Sequence, residues 1–382
     1  MKIAYCIPAY NKMAGMERVL TQKVNYLKAQ TNFDVVIITT DQDGKKELSE
    51  MNNDVKFIHT NINFNDNFEY GFLKKYIDYK SKQKKYRKEL QNILIENQVD
   101  ICISMGGKEI DFLPLLEDKS SKICELHFSK DIYKRFYKSR RSTFFSKVHA
   151  EIMSKRLEIA CKKFDKLVVL TKRDEKEWKK IMTNVEQIYN PFSSQNLYQT
   201  DYSAKGVIAV GRLDEQKGFT HLIDVWNDVH QLHPEWILNI WGEGPLRDSL
   251  MDKIYAKGMQ NTIFLRGSTD KISEEYSKNS IFVMTSQYEG FPMVLLEASA
   301  AGLPLISFDC NTGPSEIICN NKNGYLIPLN DLTAMSKSIV ELIEDSNLRS
   351  KFGKNAQSIV SKFEISSIMD RWLKIFNSSI NN

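Results

Sequence analysis

The chain has 382 residues, which is enough for two domains of ordinary size. Hydrophobic residues make up 42% and charged residues 26%, with 17 glycines and 9 prolines, so the composition excludes collagen-like, low-complexity and wholly disordered proteins. The formal net charge of +5 is too small for this length to indicate nucleic-acid binding by itself.

The sequence carries no pattern typical of a membrane span or a cleaved leader. No apolar run approaches the roughly 18 residues that a spanning helix needs, and MKIAYCIPAYNK at the start runs directly into a strand-like segment. The six cysteines lie far apart, with no CxxC pair and no Cys/His cluster at zinc spacing. We therefore expect a cytoplasmic protein with reduced cysteines and no metal site.

Short β-branched runs alternate with longer helical patterns along the chain, which is typical of parallel sheets with helices on both faces. The runs are KIAYCIP, FDVVIITT, VKFIHT, DICISM, KICELH and KLVVLT, then GVIAVGR, WILNIWG, TIFLRG, IFVMTS and LPLISF. A polar stretch, NPFSSQNLYQTDYSAK, separates the two sets. We predict an α/β protein with two Rossmann-like, doubly wound domains, at 1–191 and 206–364, that face each other across a cleft. A linker at 192–205 joins them, and a helix within 365–382 is expected to dock on the N-terminal domain.

The first strand-to-helix loop, AYNKMAG, lacks the GxGxxG spacing of a dinucleotide-binding turn, so a nicotinamide enzyme is not expected. Gly15 stands where the backbone can approach a ligand before a helix, although an ordinary loop glycine explains it equally well. After the second strand, Asp41-Gln42-Asp43 has the spacing of a metal–diphosphate motif. The neighbouring Gly44 favours a turn there instead.

Two segments of the first half are strongly basic. Lys74–Lys88 contains eight Lys or Arg residues against one acid, and Lys130–Lys147 contains seven against one, with aromatic residues interleaved. This pattern favours an anionic membrane surface as a partner, and two solvated helix faces are the alternative. No readout motif for nucleic acid accompanies the charge.

In the second half, GVIAV leads into a loop from Gly211 to Gly218 that carries Arg212 and Lys217. A guanidinium fork and a flexible ammonium on one strand-to-helix loop suit a diphosphate. Two solvated surface cations are the alternative.

The strand IFVMTS is followed by YEGFPMVLLEA at 288–298. Pro292 fits the first helical position, which leaves the amides of Met293 and Val294 free to meet an anion. Carboxylates pair well with vicinal hydroxyls, so Glu297 is a candidate for holding a ribose and Glu289 for holding a hexose. Solvated acids are the alternative for both.

These motifs together resemble a known family. The segment from Glu289 to Glu297 matches the E-x7-E element of glycosyltransferase family 4, which comprises retaining enzymes of the GT-B fold. GRLDEQKGF is similar to that family's phosphate-binding loop, and WGEGP, FLRG and AAGLPLISFDCNTGPSEII follow in the same order. The resemblance covers essentially the whole chain and is densest in the second half.

The resemblance implies a role for each matching residue. Arg212 and Lys217 would neutralise the diphosphate, Glu297 would bind the ribose, and Glu289 would lie near the donor sugar. The backbone around Arg266 and Gly267 would meet the base. The donor-binding loop would comprise Gly290, Phe291, Pro292, Met293 and Val294.

In the first half, His127 resembles the histidine that approaches the donor hexose, and a structural histidine is the alternative. The pair of glycines common in the family is replaced by Ala14 and Gly15. The segment NTGPSEII is similar to members that use UDP-galactose or UDP-N-acetylgalactosamine.

The expected function is therefore retaining transfer of a hexose from a UDP-sugar. The donor would be of the galactose/N-acetylgalactosamine or glucose/N-acetylglucosamine type, and the acceptor a sugar linked to a polyprenol diphosphate, in surface polysaccharide or glycan assembly. No cofactor beyond the nucleotide sugar is expected, and the enzyme would work at the inner face of the cytoplasmic membrane. A nucleotide-sugar epimerase, a phosphorolytic enzyme and a non-catalytic sugar-nucleotide-binding module remain alternatives on the same scaffold.

Overall fold

The computed structural model describes residues 1–65, 71–139, 144–193 and 198–380. The chain divides into two compact units. Unit 1 comprises Met1–Lys134, Phe144–Pro191 and the C-terminal residues from Ile365, and unit 2 comprises Phe192–Glu364 with a short segment that begins at Arg135. The linker predicted at 192–205 falls partly on residues outside the described ranges.

The strands coincide with the apolar runs of the sequence. In unit 1 they are β1 Lys2–Ile7, β2 Asp34–Thr39, β3 Lys56–His59, β4 Ile101–Ser104, β5 Ser121–Leu126, β6 Lys166–Val169 and β7 Val185–Gln187. In unit 2 they are β8 Gly206–Val210, β9 Ile237–Trp241, β10 Ile263–Gly267, β11 Ile281–Met284, β12 Leu305–Phe308 and β13 Gly324–Ile327. The runs did not predict β7 and β13, because β7 has only three residues and β13 opens with a glycine and has four.

Helices connect the strands. They are α1 Gly15–Gln30, α2 Phe72–Glu96, α3 Ile132–Ser139, α4 Phe144–Cys161, α5 Lys172–Lys179, α6 Phe219–Leu232, α7 Arg247–Ala256, α8 Ile272–Ser277, α9 Met293–Ala300, α10 Pro314–Ile317, α11 Leu332–Glu344, α12 Ser346–Ile359 and α13 Ile365–Ile380. Helix α9 begins at Met293 with Pro292 as its N-cap, one residue later than the sequence predicts. No helix in the described ranges is both long and apolar enough to cross a bilayer.

Both sheets are parallel and doubly wound, which confirms the predicted α/β architecture. The strand order is β3-β2-β1-β4-β5-β6-β7 in unit 1 and β10-β9-β8-β11-β12-β13 in unit 2. The order reverses between β1 and β4 in unit 1, and between β8 and β11 in unit 2. At such a switch point, open α/β sheets bind ligands outside the carboxyl ends of the two strands.

A buried ion pair links three elements of unit 1. Helix α1 buries Val19, Leu20, Val24 and Leu27, and Lys23 lies on the same face at helical spacing. The Lys23 ammonium donates to Glu125 of β5 at 2.6 Å, and both side chains are buried. The ammonium also lies 3.5 Å from the ring centroid of Trp372 in α13. A cation on the apolar face of α1 is therefore stabilised by a carboxylate and an aromatic face.

The pKa values of Lys23 and Glu125 are both lower in the folded protein than their ordinary values. Burial lowers the pKa of Lys23. Burial by itself raises the pKa of Glu125, but the charges of Lys23 and His127 outweigh it and lower that pKa to about 2. The ionised carboxylate is thus the stable form inside the fold.

We expect Lys23→Met to destabilise unit 1 by about 3–5 kcal/mol, because it leaves the Glu125 carboxylate buried without its cation. Adding Glu125→Leu should recover most of that loss, since a well-packed apolar pair is often close to neutral relative to the buried ion pair. Differential scanning calorimetry of the full chain measures both variants.

The pH dependence has a definite sign. The folded pKa of Glu125, about 2, lies below its ordinary value of 4.5, so the pair's contribution is complete above pH 4.5 and is lost as the pH falls toward 2. The double variant should lack this component. A Lys23→Met protein that melts at the wild-type temperature would contradict the assignment.

Candidate active site

The two loops at the switch point of unit 2 are bonded to each other along their length. The amide of Gln287, after β11, donates to the Gln216 carbonyl, after β8, at 2.7 Å. The Gln216 side-chain amide donates to the Tyr288 carbonyl at 2.9 Å, and the Thr285 hydroxyl donates to the Lys217 carbonyl at 3.0 Å. The loop that carries the predicted cations and the loop that carries Glu289 therefore form one structural element.

Gly218 is the residue that lets these loops approach. Its φ of +64° is in the left-handed region, and a Cβ on it would lie 2.3 Å from the Thr285 carbonyl oxygen. Only glycine satisfies both the dihedral angle and the space. The end of the β8 loop is thereby pressed against the start of the β11 loop.

The predicted site residues Lys217 and Glu289 meet directly. The Lys217 ammonium lies 2.6 Å from Glu289 Oε1, and their side chains are 18% and 8% exposed. Thr312 also fixes the Glu289 backbone, because its hydroxyl donates to the Glu289 carbonyl at 2.6 Å. The result is an ion pair at the carboxyl edge of the sheet, in which Glu289 holds the Lys217 ammonium in place with little solvent around it.

Arg212 has a different environment. Its Nε donates to Asp214 of the same loop, and its side chain is 68% exposed. The Asp214 backbone carbonyl and side chain in turn both accept from the Lys217 amide, each at 3.2 Å. The two cations of the loop are thus organised around Asp214, one side chain anchored to Glu289 and the other open to solvent.

Helix α9 begins directly after this ion pair. Its N-cap Pro292 packs against Gly313, where a Cβ would lie 2.5 Å from the proline Cδ, and Phe291 packs on Phe363 at a centroid distance of 5.6 Å. The loop from Gly290 to Pro292 is therefore fixed from two sides. The first amides of α9 have no helical partner, as at any helix start, and they favour an anion.

Glu297 lies within α9 and is buried. Its Oε2 accepts from the Tyr276 hydroxyl at 2.9 Å. Tyr276 belongs to α8 and is completely buried, so the carboxylate is oriented by a rigid partner. The described structure thus gives the two acids of the E-x7-E element different partners, a lysine for Glu289 and a tyrosine for Glu297.

Arg266 and Gly267 are the last two residues of the edge strand β10. Arg266 Nε donates to Asn239 Oδ1 at 2.9 Å, and its guanidinium carbon lies 4.4 Å from the ring centroid of Phe264. Gly267 has a φ of +81°, and its carbonyl accepts from the Gly242 amide at 2.7 Å. The carboxyl ends of β9 and β10 are therefore joined beside the exposed Arg266.

In unit 1, His127 follows β5 at the carboxyl edge of the sheet. Its Nε2 lies 3.3 Å from Glu125 Oε1, on the carboxylate whose other oxygen binds Lys23. The sequence reasoning missed Lys23 and Glu125. A lysine in the apolar repeat of α1 was the available signal, because an unpaired charge is not buried there.

The other positions of unit 1 that the sequence analysis singled out are Gly15 and the turn that follows β2. Gly15 is the first residue of α1, and a Cβ on it would meet no atom within 4 Å. Asp43 and Gly44 both have positive φ and form a turn, while Gln42 is buried and accepts from the Tyr10 amide. Nowhere in the described part of the chain do three or more His, Cys, Asp or Glu side chains converge as metal ligands would.

Comparison with known proteins assigns the family. Residues 199–359 match the family described as glycosyl transferases group 1. The amylovoran biosynthesis glycosyltransferase AmsD of Erwinia amylovora is 32% identical over 291 residues, which cover 72% of this chain and 77% of that protein. The chain belongs to the glycosyl transferases of group 1.

Two further proteins place this glycosyltransferase among its relatives. An α-1,4-N-acetyl-D-galactosaminyltransferase of Campylobacter jejuni, named for an acceptor on PP-undecaprenol, is 27% identical over 215 residues, or 55% of this chain and 59% of that protein. The crystal structure of a mutant of S. aureus TarM with fondaparinux, α-GlcNAc-glycerol and UDP has a TM-score of 0.78 at 18% identity, covering 98% of this chain and 99% of that one. The fold of this glycosyltransferase is GT-B.

The Gly218 contact can be tested against a matched glycine of the same unit. Gly258 has a similar φ of +69°, but no atom lies within 4 Å of the position that a Cβ would take. We expect Gly258→Ala to cost about 1–2 kcal/mol, the usual cost of alanine in the left-handed region. Gly218→Ala should cost more, because the Thr285 carbonyl must also move. Thermal melts compare them, and equal melting temperatures would rule out the close approach as a constraint.

Proposed function

We propose that this glycosyltransferase moves a hexose from a UDP-sugar to a sugar acceptor with retention of configuration. The hexose is of the galactose/N-acetylgalactosamine or glucose/N-acetylglucosamine type, and the product enters a surface polysaccharide or another glycan. The Lys217–Glu289 pair carries the donor half of this proposal. It holds a lysine ammonium at the carboxyl edge of the sheet, where the strand order reverses and a helix begins, which is where α/β sheets bind phosphates.

Each donor group has a candidate partner in unit 2. Lys217 and the first amides of α9 meet the diphosphate, and the exposed guanidinium of Arg212 can turn from Asp214 to join them. Glu297, oriented by Tyr276, accepts from the ribose hydroxyls. Backbone at Arg266 and Gly267 binds the base, and the loop from Gly290 to Val294 covers the sugar and phosphates.

The chemistry needs the protein mainly to stabilise charge. The bond from the hexose C1 to the phosphate oxygen breaks, and a new bond forms from C1 to the acceptor oxygen on the same face. The acceptor proton passes to an oxygen of the leaving diphosphate, so this route requires no protein nucleophile, external base or metal. Lys217 and the α9 amides stabilise the negative charge that grows on the diphosphate, and they do so without reorganising. We assign Glu289 the role of orienting the hexose, and the role of His127 toward the hexose stays a prediction from the sequence.

A panel of UDP- and GDP-sugars tests the donor assignment. We expect a UDP-hexose to raise the melting temperature of the full chain and the GDP-sugars to leave it unchanged, because only a ligand of the folded state stabilises it. The stabilising donor is then incubated alone. A transferase hydrolyses it slowly at most, an epimerase converts it to its epimer, and a binding module leaves it intact on addition of any acceptor.

Lys217→Ala should lower turnover of that donor by about 10² or more, the usual effect of removing one charge-stabilising donor. Release of UDP measures kcat, and the melting temperature reports whether Glu289 tolerates the loss of its partner. Lys322→Ala removes an exposed lysine of unit 2 and is the control. Turnover within about threefold of wild type would remove Lys217 from the mechanism.

We further propose that the enzyme works in the cytoplasm and binds the anionic inner face of the membrane through its basic segments. Lys74, Lys75 and Lys80 are exposed on α2, and each cation near an anionic surface contributes on the order of 1 kcal/mol. Residues 140–143 of the second basic segment lie outside the described ranges.

Flotation with phosphatidylglycerol vesicles tests this membrane contact. It should fail for Lys74→Glu, Lys75→Glu and Lys80→Glu combined, because the variant repels the anionic surface. The same charge change at Lys322, Lys351 and Lys354, which are exposed on unit 2, is the control and should leave flotation unchanged. Equal flotation of the two triple variants would refute a specific contact through α2.

A further inference from the structure

Two adjoining hollows of unit 1 share one wall. The first is a polar cavity of about 340 Å³ at the carboxyl edge of the sheet, between the loops after β1, β2, β4 and β5 and the helices α2 to α4. The second is a groove of about 410 Å³ along α4. Asp111 and Arg156 line both hollows.

The shared wall is an ion pair with fork geometry. Arg156 Nε donates to Asp111 Oδ1 at 2.9 Å, and a terminal nitrogen of the guanidinium donates to Oδ2. Both side chains are partly exposed. Asp111 takes two of the five N–H donors of the guanidinium and the Tyr79 side chain also pairs with it, so Arg156 can offer the remaining donors to an anion at the boundary.

The polar cavity suits a sugar. Its lining includes hydrogen-bonding side chains, two of them tyrosines: Thr40, Asp41, Asn65, Lys108, Tyr79 and Tyr133. Asp41 is held in place, because Oδ2 accepts from the Thr40 hydroxyl at 2.6 Å and Oδ1 from the Asn65 amide at 3.2 Å. The volume lies within the range of about 300–1,000 Å³ that is usual for ligand pockets.

The groove is apolar, although it lies on the exposed side of α4. Helix α4 buries Ala150 and Leu157 in the core. On its opposite side Phe144, Val148, Ile152 and Ile159 recur at helical spacing with exposures between 43% and 75%. A helix that is apolar on both sides is normally covered on both sides. This stripe extends about 22 Å along the helix at 1.5 Å per residue.

Cations accompany the apolar groove. Its walls include Ile152, Ile159, Lys155 and Lys163 beside Arg156. Two other classes of acceptor fit the groove less well. A polymer with a charge on every repeat would bring polar groups against Ile152 and Ile159. A free sugar would fill only the polar cavity and leave the groove empty. The combination fits a ligand that has a sugar, an anionic linker and a long apolar chain in that order.

We propose that unit 1 binds an amphiphilic acceptor, a sugar joined through phosphate or diphosphate to a lipid. The sugar lies in the polar cavity, the phosphate lies on Arg156 with Lys155, and the lipid chain follows the stripe of α4. This proposal rests on the proposed transferase function and names its acceptor class. Arg156 is a specificity residue here, since it separates the polar and apolar halves of the ligand.

The test uses three probes with the full chain: farnesyl-diphosphate-linked N-acetylglucosamine, farnesyl diphosphate, and N-acetylglucosamine 1-phosphate. Isothermal titration measures each affinity. The two farnesyl probes should bind about tenfold or more tightly than the sugar phosphate, because the lipid buries apolar surface. All three should compete with one another, since they place a phosphate on the same arginine.

Variants separate the parts of the site. Ile152→Ser with Ile159→Ser should weaken the farnesyl probes about fivefold or more and leave the sugar phosphate unaffected. Arg156→Gln should weaken all three about tenfold, the value of one charge-assisted contact. Ile95→Ser changes an exposed isoleucine of unit 1 that lines neither hollow, and it is the control.

UDP binding to unit 2, measured in every variant, reports on folding and on the donor proposal separately. Failure of the wild-type protein to bind UDP would refute the donor site and not the acceptor class. Three results would overturn the acceptor proposal while UDP still binds: farnesyl probes no tighter than the sugar phosphate, a groove variant with wild-type affinity, or a glycerol-phosphate oligomer that displaces the farnesyl probe at equal affinity.

Discussion

A lysine ammonium 2.6 Å from a buried carboxylate joins the two loops that carry the proposed donor site of unit 2. Hydrogen bonds between the loops align their backbones, and the ion pair then fixes the side chains at their ends. The pair forms where the strand order reverses between β8 and β11, so a fixed positive charge, a constrained backbone and the start of α9 share one edge of the sheet. A doubly wound sheet produces such a place by topology. The residues Lys217 and Glu289 place an ion pair there, and the ammonium of that pair is the group that we propose to meet the diphosphate.

Unit 1 also has a buried ion pair, near the carboxyl end of its strand β5. The carboxylate of Glu125 binds Lys23 with one oxygen and lies beside His127 with the other. Because Lys23 also contacts Trp372, the last helix of the chain helps to fix the residue that precedes the histidine by two positions. The proposed role of His127 therefore depends on packing contributed by residues far from it in the sequence.

Two hollows of unit 1 would bind different parts of the proposed acceptor. Arg156 reaches the polar cavity and the apolar groove because both hollows adjoin one turn of α4. Apolar residues on the exposed side of that helix reduce solubility, and natural surfaces limit such stripes unless a ligand or a partner covers them. The nearby lysines favour an anionic ligand or lipid surface over a neutral one.

The sequence by itself determined the fold class and predicted the two loops of the proposed donor site, because both predictions rest on local signals. Apolar runs predicted eleven strands, and the order of GRLDEQKGF and the E-x7-E element indicated a nucleotide-sugar transferase. The tertiary structure decided which charges meet. Lys217 and Glu289 are 72 residues apart, Lys23 and Glu125 are 102 apart, and Asp111 and Arg156 are 45 apart. Such pairs follow from strand order and helix packing, which bring distant side chains within a few ångströms, and no local pattern of the sequence encodes those distances.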